Sequence, residues 1–172
     1  MFNNRLTITI SLALVFLLVF VFYDNNRLHG NDKDAIVKII QSIDSYEDMS
    51  IEVLDIKDFP DIKIVAFLAD QKPGYIQFVK HTNGTYKWNH IEVRNYETLS
   101  FFMPNSPIFF IVTNDKNDIA KLEVTINDQL LAQEFSQKKA SVTWIEIPYS
   151  NDNEYTFQDI KFYNESGNLL DK

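Results

Sequence analysis

The sequence predicts an α+β protein: an N-terminal transmembrane helix, a small unit of one helix with an antiparallel sheet, then a small all-β sandwich. Leu6–Tyr23 is an apolar run with no charged side chain, and one amphipathic helical pattern follows it. From Ile51 onward, short apolar segments recur between polar turns. The implied organisation is a signal anchor over 1–23, a juxtamembrane linker over 24–31, an α+β unit over 32–97 and a β-sandwich unit over 98–172.

As a helix, Leu6–Tyr23 extends roughly 27 Å at ~1.5 Å per residue, close to the hydrocarbon thickness of a bilayer. No polar face interrupts the run, which argues against a buried core helix. Arg5 and the amino terminus hold the near side in the cytoplasm and send the remainder across. The run ends in Val-Phe-Val-Phe-Tyr-Asp-Asn-Asn-Arg, with no small residue before Gly30. A cleavage pattern is therefore missing, and an uncleaved anchor is expected. Asp24 to Asn31 is polar and ends in Gly-Asn, which suits a hinge.

Composition narrows the body that follows. A chain of 172 residues with 45% hydrophobic, 14% aromatic and 23% charged residues can bury a core, which excludes disorder over most of its length. Cysteine is absent, excluding a disulfide scaffold, a thiol nucleophile and a Cys-based zinc site. From Asp24 on there are 15 basic and 24 acidic residues, a formal charge of −9. Such a body repels phosphate backbones and anionic headgroups, so no nucleic acid partner is expected.

Asp32 to Tyr46 opens the body as a helix of about three turns. Ile36, Ile39, Ile40 and Ile43 recur at helical spacing, and Asp32 and Asp34 stand where a helix N-terminus favours negative charge. Strands follow. Ile51, Val53 and then Leu54, Ile56 change parity, predicting a bulge between them. Ile62 to Ala69 is almost continuously apolar, as in a strand covered on both faces. Asp70 to Gly74 is turn chemistry. Tyr75 to His81 and Thr85 to Val93 flank Thr82-Asn83-Gly84, a three-residue hairpin loop with glycine in the left-handed position. That register sets Phe78 opposite Trp88, Lys80 opposite Tyr86 and Ile76 opposite His90.

Asn95 to Pro107 reads as a boundary, with Phe101-Phe102-Met103 beside two prolines. Beyond it the helical pattern vanishes. Ile108 to Thr113, Ile119 to Asn127, Gln129 to Phe135, Ser141 to Ile147 and Tyr155 to Tyr163 are short strands separated by polar turns, the pattern of a sandwich. Leu122, Val124 and Ile126 alternate with Lys121, Glu123 and Thr125, giving one buried and one wet face.

The succession of anchor, helix, Gly-Tyr-Ile-Gln-Phe-Val-Lys (74–80), Asn-Gly-Thr-Tyr-Lys-Trp (83–88) and Ile-Lys-Phe-Tyr-Asn-Glu-Ser-Gly-Asn (160–168) resembles uncharacterised single-span anchored extracytoplasmic proteins of Gram-positive bacteria. The first unit resembles cystatin-like helix-plus-sheet modules, and the second is similar to Ig-like modules. These resemblances imply location and architecture and carry no catalytic residue across.

Candidate chemistry is sparse. His81 and His90 fall on opposite faces in that register and so share no metal, while His29 lies in the linker. Asp115, Asn117 and Asp118, and Asn151, Asp152, Asn153 and Glu154, offer oxygen ligands of the kind calcium prefers, but they are also ordinary turn residues. No Gly-x-Ser-x-Gly elbow occurs, and the 4 glycines form no phosphate-binding loop. Asn83 and Asn164 match the glycosylation pattern, although Asn83 is already explained by its turn. Phe101, Phe102, Phe109 and Phe110, with Tyr86 and Trp88, are expected mainly in the core; any left exposed at the junction form a patch able to take a partner.

The expected function is a non-enzymatic module on the outer face of the cytoplasmic membrane, binding a protein or cell-envelope component. It is held by Leu6–Tyr23, with no catalytic, cofactor or metal residues. The alternative is an accessory or assembly subunit docking through its span, where Ser11 and Ala13 are the small residues available for packing. An envelope hydrolase ranks below both.

Overall fold

The computed structural model describes residues 32–82, 84–105, 107–148, 150 and 154–171. The anchor, the linker with His29, and Asn83 and 151–153 lie outside them. Among the described residues, no helix is long and apolar enough to cross a membrane.

The helix α1 (Lys33–Gln41) starts where the Asp32 carboxylate accepts the N–H of Asp34 at 3.1 Å. That bond satisfies one of the free donors at a helix start. It stops at Ser42, whose hydroxyl donates to the Ile39 carbonyl at 2.7 Å. The helix is therefore shorter than the pattern to Tyr46, though Ile43 and Tyr46 still pack on the same cluster through successive turns. Ile36, Ile39 and Ile40 are its buried face.

Sheet A is an antiparallel meander of β1 (Ile51–Asp58), β2 (Ile62–Ala69), β3 (Lys72–Lys80) and β4 (Tyr86–Val93), in that order. The predicted bulge in β1 is present: pairing passes from Val53–Phe67 to Asp55–Ala66 and skips Leu54. Ile51, Val53 and Ile56 thereby share the helix side, while Leu54 turns to the opposite face. The turn after β2 is tighter than expected. Asp70 and Gln71, with φ of 48° and 67°, form it alone, and Lys72, Pro73 and Gly74 belong to β3. Gly74 is in the strand because a Cβ there would stand 2.8 Å from both the Glu92 carbonyl oxygen and Val93 Cγ2.

Seven more strands follow: β5 (Leu99–Asn105), β6 (Ile108–Thr113), β7 (Lys121–Ile126), β8 (Gln129–Glu134), β9 (Ser141–Glu146), β10 (Phe157–Tyr163) and β11 (Leu169–Leu170). Sheet B has the order β5-β6-β9, and sheet C the order β11-β10-β7-β8. Sheets B and C enclose one cluster built on Phe109, Ile111, Leu122, Val124 and Ile126, which makes the expected sandwich. β5 and β11 are additions to the sequence reading. β5 is an edge strand, so Pro104, which lacks an N–H, is tolerated beside its bulge.

Both faces of sheet B carry packed clusters. Phe102, Phe110 and Val112 point the other way, against Ile64, Ala66, Leu68 and Tyr75 of sheet A. The layers thus run helix, sheet A, sheet B, sheet C. This stacking accounts for the nearly continuous apolar runs of β2, broken only by Lys63, and β6, both of which pack on apolar clusters on their two faces. Hydrogen bonds tie the halves together, among them Trp144 Nε1 to Asp55 Oδ2 and Asn114 Nδ2 to the Gln71 carbonyl, both 2.7 Å.

Candidate functional site

The hairpin of β3 and β4 places the histidines differently from expectation. Phe78–Trp88 and Lys80–Tyr86 pair as predicted, but a bulge at Asn89 moves His90 from Ile76 to Gln77. The bulge lets Ile91 and Val93 join Tyr86 against the helix-side core, which strict alternation from Trp88 would have denied them. The premise that set His81 and His90 on opposite faces goes with it. His90 lies on the Tyr75 ring with centroids 5.4 Å apart, and its Nε2 is 3.9 Å from Glu92 Oε2. His81 sits in the loop, where its backbone N–H donates to the Thr85 carbonyl at 2.7 Å. Among the described residues, no three His, Cys, Asp or Glu side chains gather to hold a metal ion.

The loop after β6 uses its amides internally. Asn117 is fully buried, its Nδ2 donating to the Ile119 carbonyl at 2.9 Å and its Oδ1 accepting the Ile119 N–H at 3.2 Å. Its oxygen braces the loop and is not offered outward with Asp115 and Asp118. In the second predicted loop, Glu154 gives its carbonyl to Asn127 Nδ2 at 3.3 Å.

On the outer face of sheet C, Lys121 Nζ lies 2.6 Å from Glu123, which also accepts the Tyr163 hydroxyl at 2.9 Å. These two bonds hold the Glu123 carboxyl below its ordinary range, and the same carboxylate pushes Lys121 and Tyr163 up. All three face solvent, so the cluster is a wet charged ladder of small energetic weight.

Two grooves remain. The first, about 590 Å³, opens between the β1–β2 turn and β9, and Lys57, Phe59, Pro60, Pro107, Trp144 and Ile147 line it. Its tryptophan is already occupied. Phe110 packs at 4.5 Å between centroids, Lys57 Nζ stands 4.7 Å from the ring, Phe59 meets it at 6.3 Å, and Asp55 takes the indole N–H. No ring face is left as a platform.

The second groove, about 500 Å³, lies where the chain crosses from β4 to β5, and Arg94, Tyr96, Glu97, Leu99, Phe101 and Phe162 line it. Of the six aromatics singled out from the sequence, Phe102, Phe109 and Phe110 are buried and Tyr86 is partly buried over Lys63. Trp88 and Phe101 are exposed, 37% and 43%. Phe101 has company: Met103, two residues along β5, is 42% exposed, and Tyr96 stands fully in solvent with φ of 69°. The sequence reading missed Met103 and Tyr96, because parity has meaning there only once β5 is recognised as a strand.

The chain matches no family model, no curated protein and no solved structure.

Proposed function

We propose that the chain is a single-span, extracytoplasmic binding module that performs no chemistry of its own and takes a protein or cell-envelope partner in the β4–β5 groove. Leu6–Tyr23 supports the location: it is long enough and apolar enough to span, with Arg5 on its cytoplasmic side. The acidic body disfavours nucleic acid as that partner.

The observation that carries the binding reading is the exposed apolar surface of Tyr96 and Phe101 along one groove, with Met103 exposed further along β5. Large apolar side chains held in water beside a groove are the ordinary mark of an interaction site. The test uses the full chain with a C-terminal tag in intact protoplasts. Added protease removes the tag, while the anchor stays with membranes. A benzophenone amino acid in place of Phe101 gives a discrete photo-adduct, and the same probe in place of Glu165 gives none. Fractionation with the cytosol, or a tag resistant to protease, overturns the location. Absence of any adduct at position 101 overturns the site.

A further inference from the structure

Edge strands present unpaired backbone groups, and folds blunt them with charge, bulges or brevity. β1 carries Glu52, Asp55, Lys57 and Asp58 with a bulge, and β4 carries Lys87 and Glu92 with another. β8 ends in Glu134, β9 ends in Glu146, and β11 has two residues. β5 has no charged residue from Leu99 to Asn105, and its bulge lies at the far end, past Phe102.

The direction of its backbone groups follows from one bond. The Asn114 N–H donates to the Thr98 carbonyl at 3.0 Å, extending the register in which Ser100 pairs with Val112 and Phe102 with Phe110. Antiparallel ladders alternate, so these residues bond to β6, while the N–H and C=O of Leu99 and Phe101 point to the side where no strand lies. The exposed side chain of Phe101 shares that parity, and the exposed Met103 opens the bulge.

We infer that the free edge of β5 pairs antiparallel with β5 of a second copy, about a two-fold axis at Phe101. This rests on the reading of the β4–β5 groove as a protein-binding site and names its occupant. The register is self-complementary, as a two-fold interface requires. Phe101 faces the partner's Phe101, so outward groups meet outward groups, and β5 brings no charge to the seam. Sheet B grows to six strands, and the two exposed phenylalanine rings cover one another over the joined grooves. An extended strand is also what a row of free N–H and C=O groups recognises.

A chain without cysteine makes the register directly readable. Hydrogen-bonded antiparallel partners have Cα atoms about 5.5 Å apart, within reach of a short bis-maleimide. Full-length chain carrying Phe101→Cys, treated with that reagent in native membranes, is expected to form a covalent dimer. Leu130→Cys, on exposed β8, stays monomeric. Phe101→Pro removes an N–H that β6 does not use, so the full chain in detergent is expected to sediment as a monomer with its melting temperature kept. No dimer from Phe101→Cys, an equal dimer from Leu130→Cys, or a dimeric Phe101→Pro chain overturns the pairing. A benzophenone at 101 that captures another envelope component while Phe101→Cys gives no covalent dimer overturns self-pairing and leaves the binding reading standing; silence in both assays removes both.

Discussion

Trp144 donates its indole N–H to the Asp55 carboxylate at 2.7 Å, joining β9 to β1 across 89 positions of sequence. Asp55 owes its position to the bulge at Leu54, and its other oxygen accepts the Ile56 N–H at 2.9 Å. A bond to a charged acceptor in a half-buried setting contributes about 1.5–3 kcal/mol. Trp144→Phe keeps the ring and deletes the donor. It is expected to destabilise by about that amount, lowering the melting temperature by several degrees. A double-mutant cycle with Asp55→Ala isolates the pair, and a coupling energy near zero would show that the bond contributes nothing.

Gly74 and Gly84 are required for different reasons, and one substitution tells them apart. A Cβ at Gly74 meets the Glu92 carbonyl and Val93 Cγ2 at 2.8 Å, whereas at Gly84 nothing lies within 4 Å but φ is +80°. Asparagine accepts the left-handed region better than other side chains. Gly84→Asn is therefore expected to cost less than about 1 kcal/mol, while Gly74→Asn costs about 1–3 kcal/mol from overpacking. Equal losses in urea denaturation would contradict this division.

How far the sequence reveals this fold depends on what each residue must tell apart. β2 and β6 are legible because both of their faces pack on apolar clusters, so the pattern needs no phase. The bulge in β1 is legible because Val53 and Leu54 are adjacent apolar residues, which break parity visibly. Its counterpart in β4 is not: Asn89 and His90 are both polar, so the extra residue leaves no trace in the hydrophobic pattern. Pro104 and Pro107 disguise β5 as a boundary, since nothing local says that the strand is an edge. The apolar site is hidden for the same reason. Which of Phe101 and Phe102 faces solvent is a question of strand parity, and the Trp144–Asp55 bond depends on the stacking of sheets A and B.

Tyr75 gives the molecule an alkaline limit. It is 3% exposed between Phe102 and Phe110, and burial pushes its hydroxyl up to about 12, with the Glu92 carboxylate adding to the rise and Arg94 opposing it. The folded state thus holds the proton more tightly than the unfolded chain, where tyrosine titrates near 10. Its contribution is complete below pH 10 and is lost as pH rises from about 10 to about 12. Chemical denaturation at pH 9, 10.5 and 11.5 is expected to show a falling stability that Tyr75→Phe makes shallower. An unchanged slope in the variant would refute the assignment.

Asn117 fixes the loop between β6 and β7 through an amide that both donates to and accepts from Ile119 in a fully buried site. Asn117→Asp is nearly isosteric but cannot donate when ionised. It leaves the Ile119 carbonyl without its partner and places a charge out of water, a loss of at least about 2–3 kcal/mol near neutral pH. The new carboxyl can donate once protonated, so burial raises its folded-state pKa and the variant recovers stability as pH falls. Melting curves at pH 7 and pH 4.5, each referred to the parent chain at the same pH, are expected to show the gap narrowing in acid. A gap independent of pH would mean that the side chain faces solvent after all.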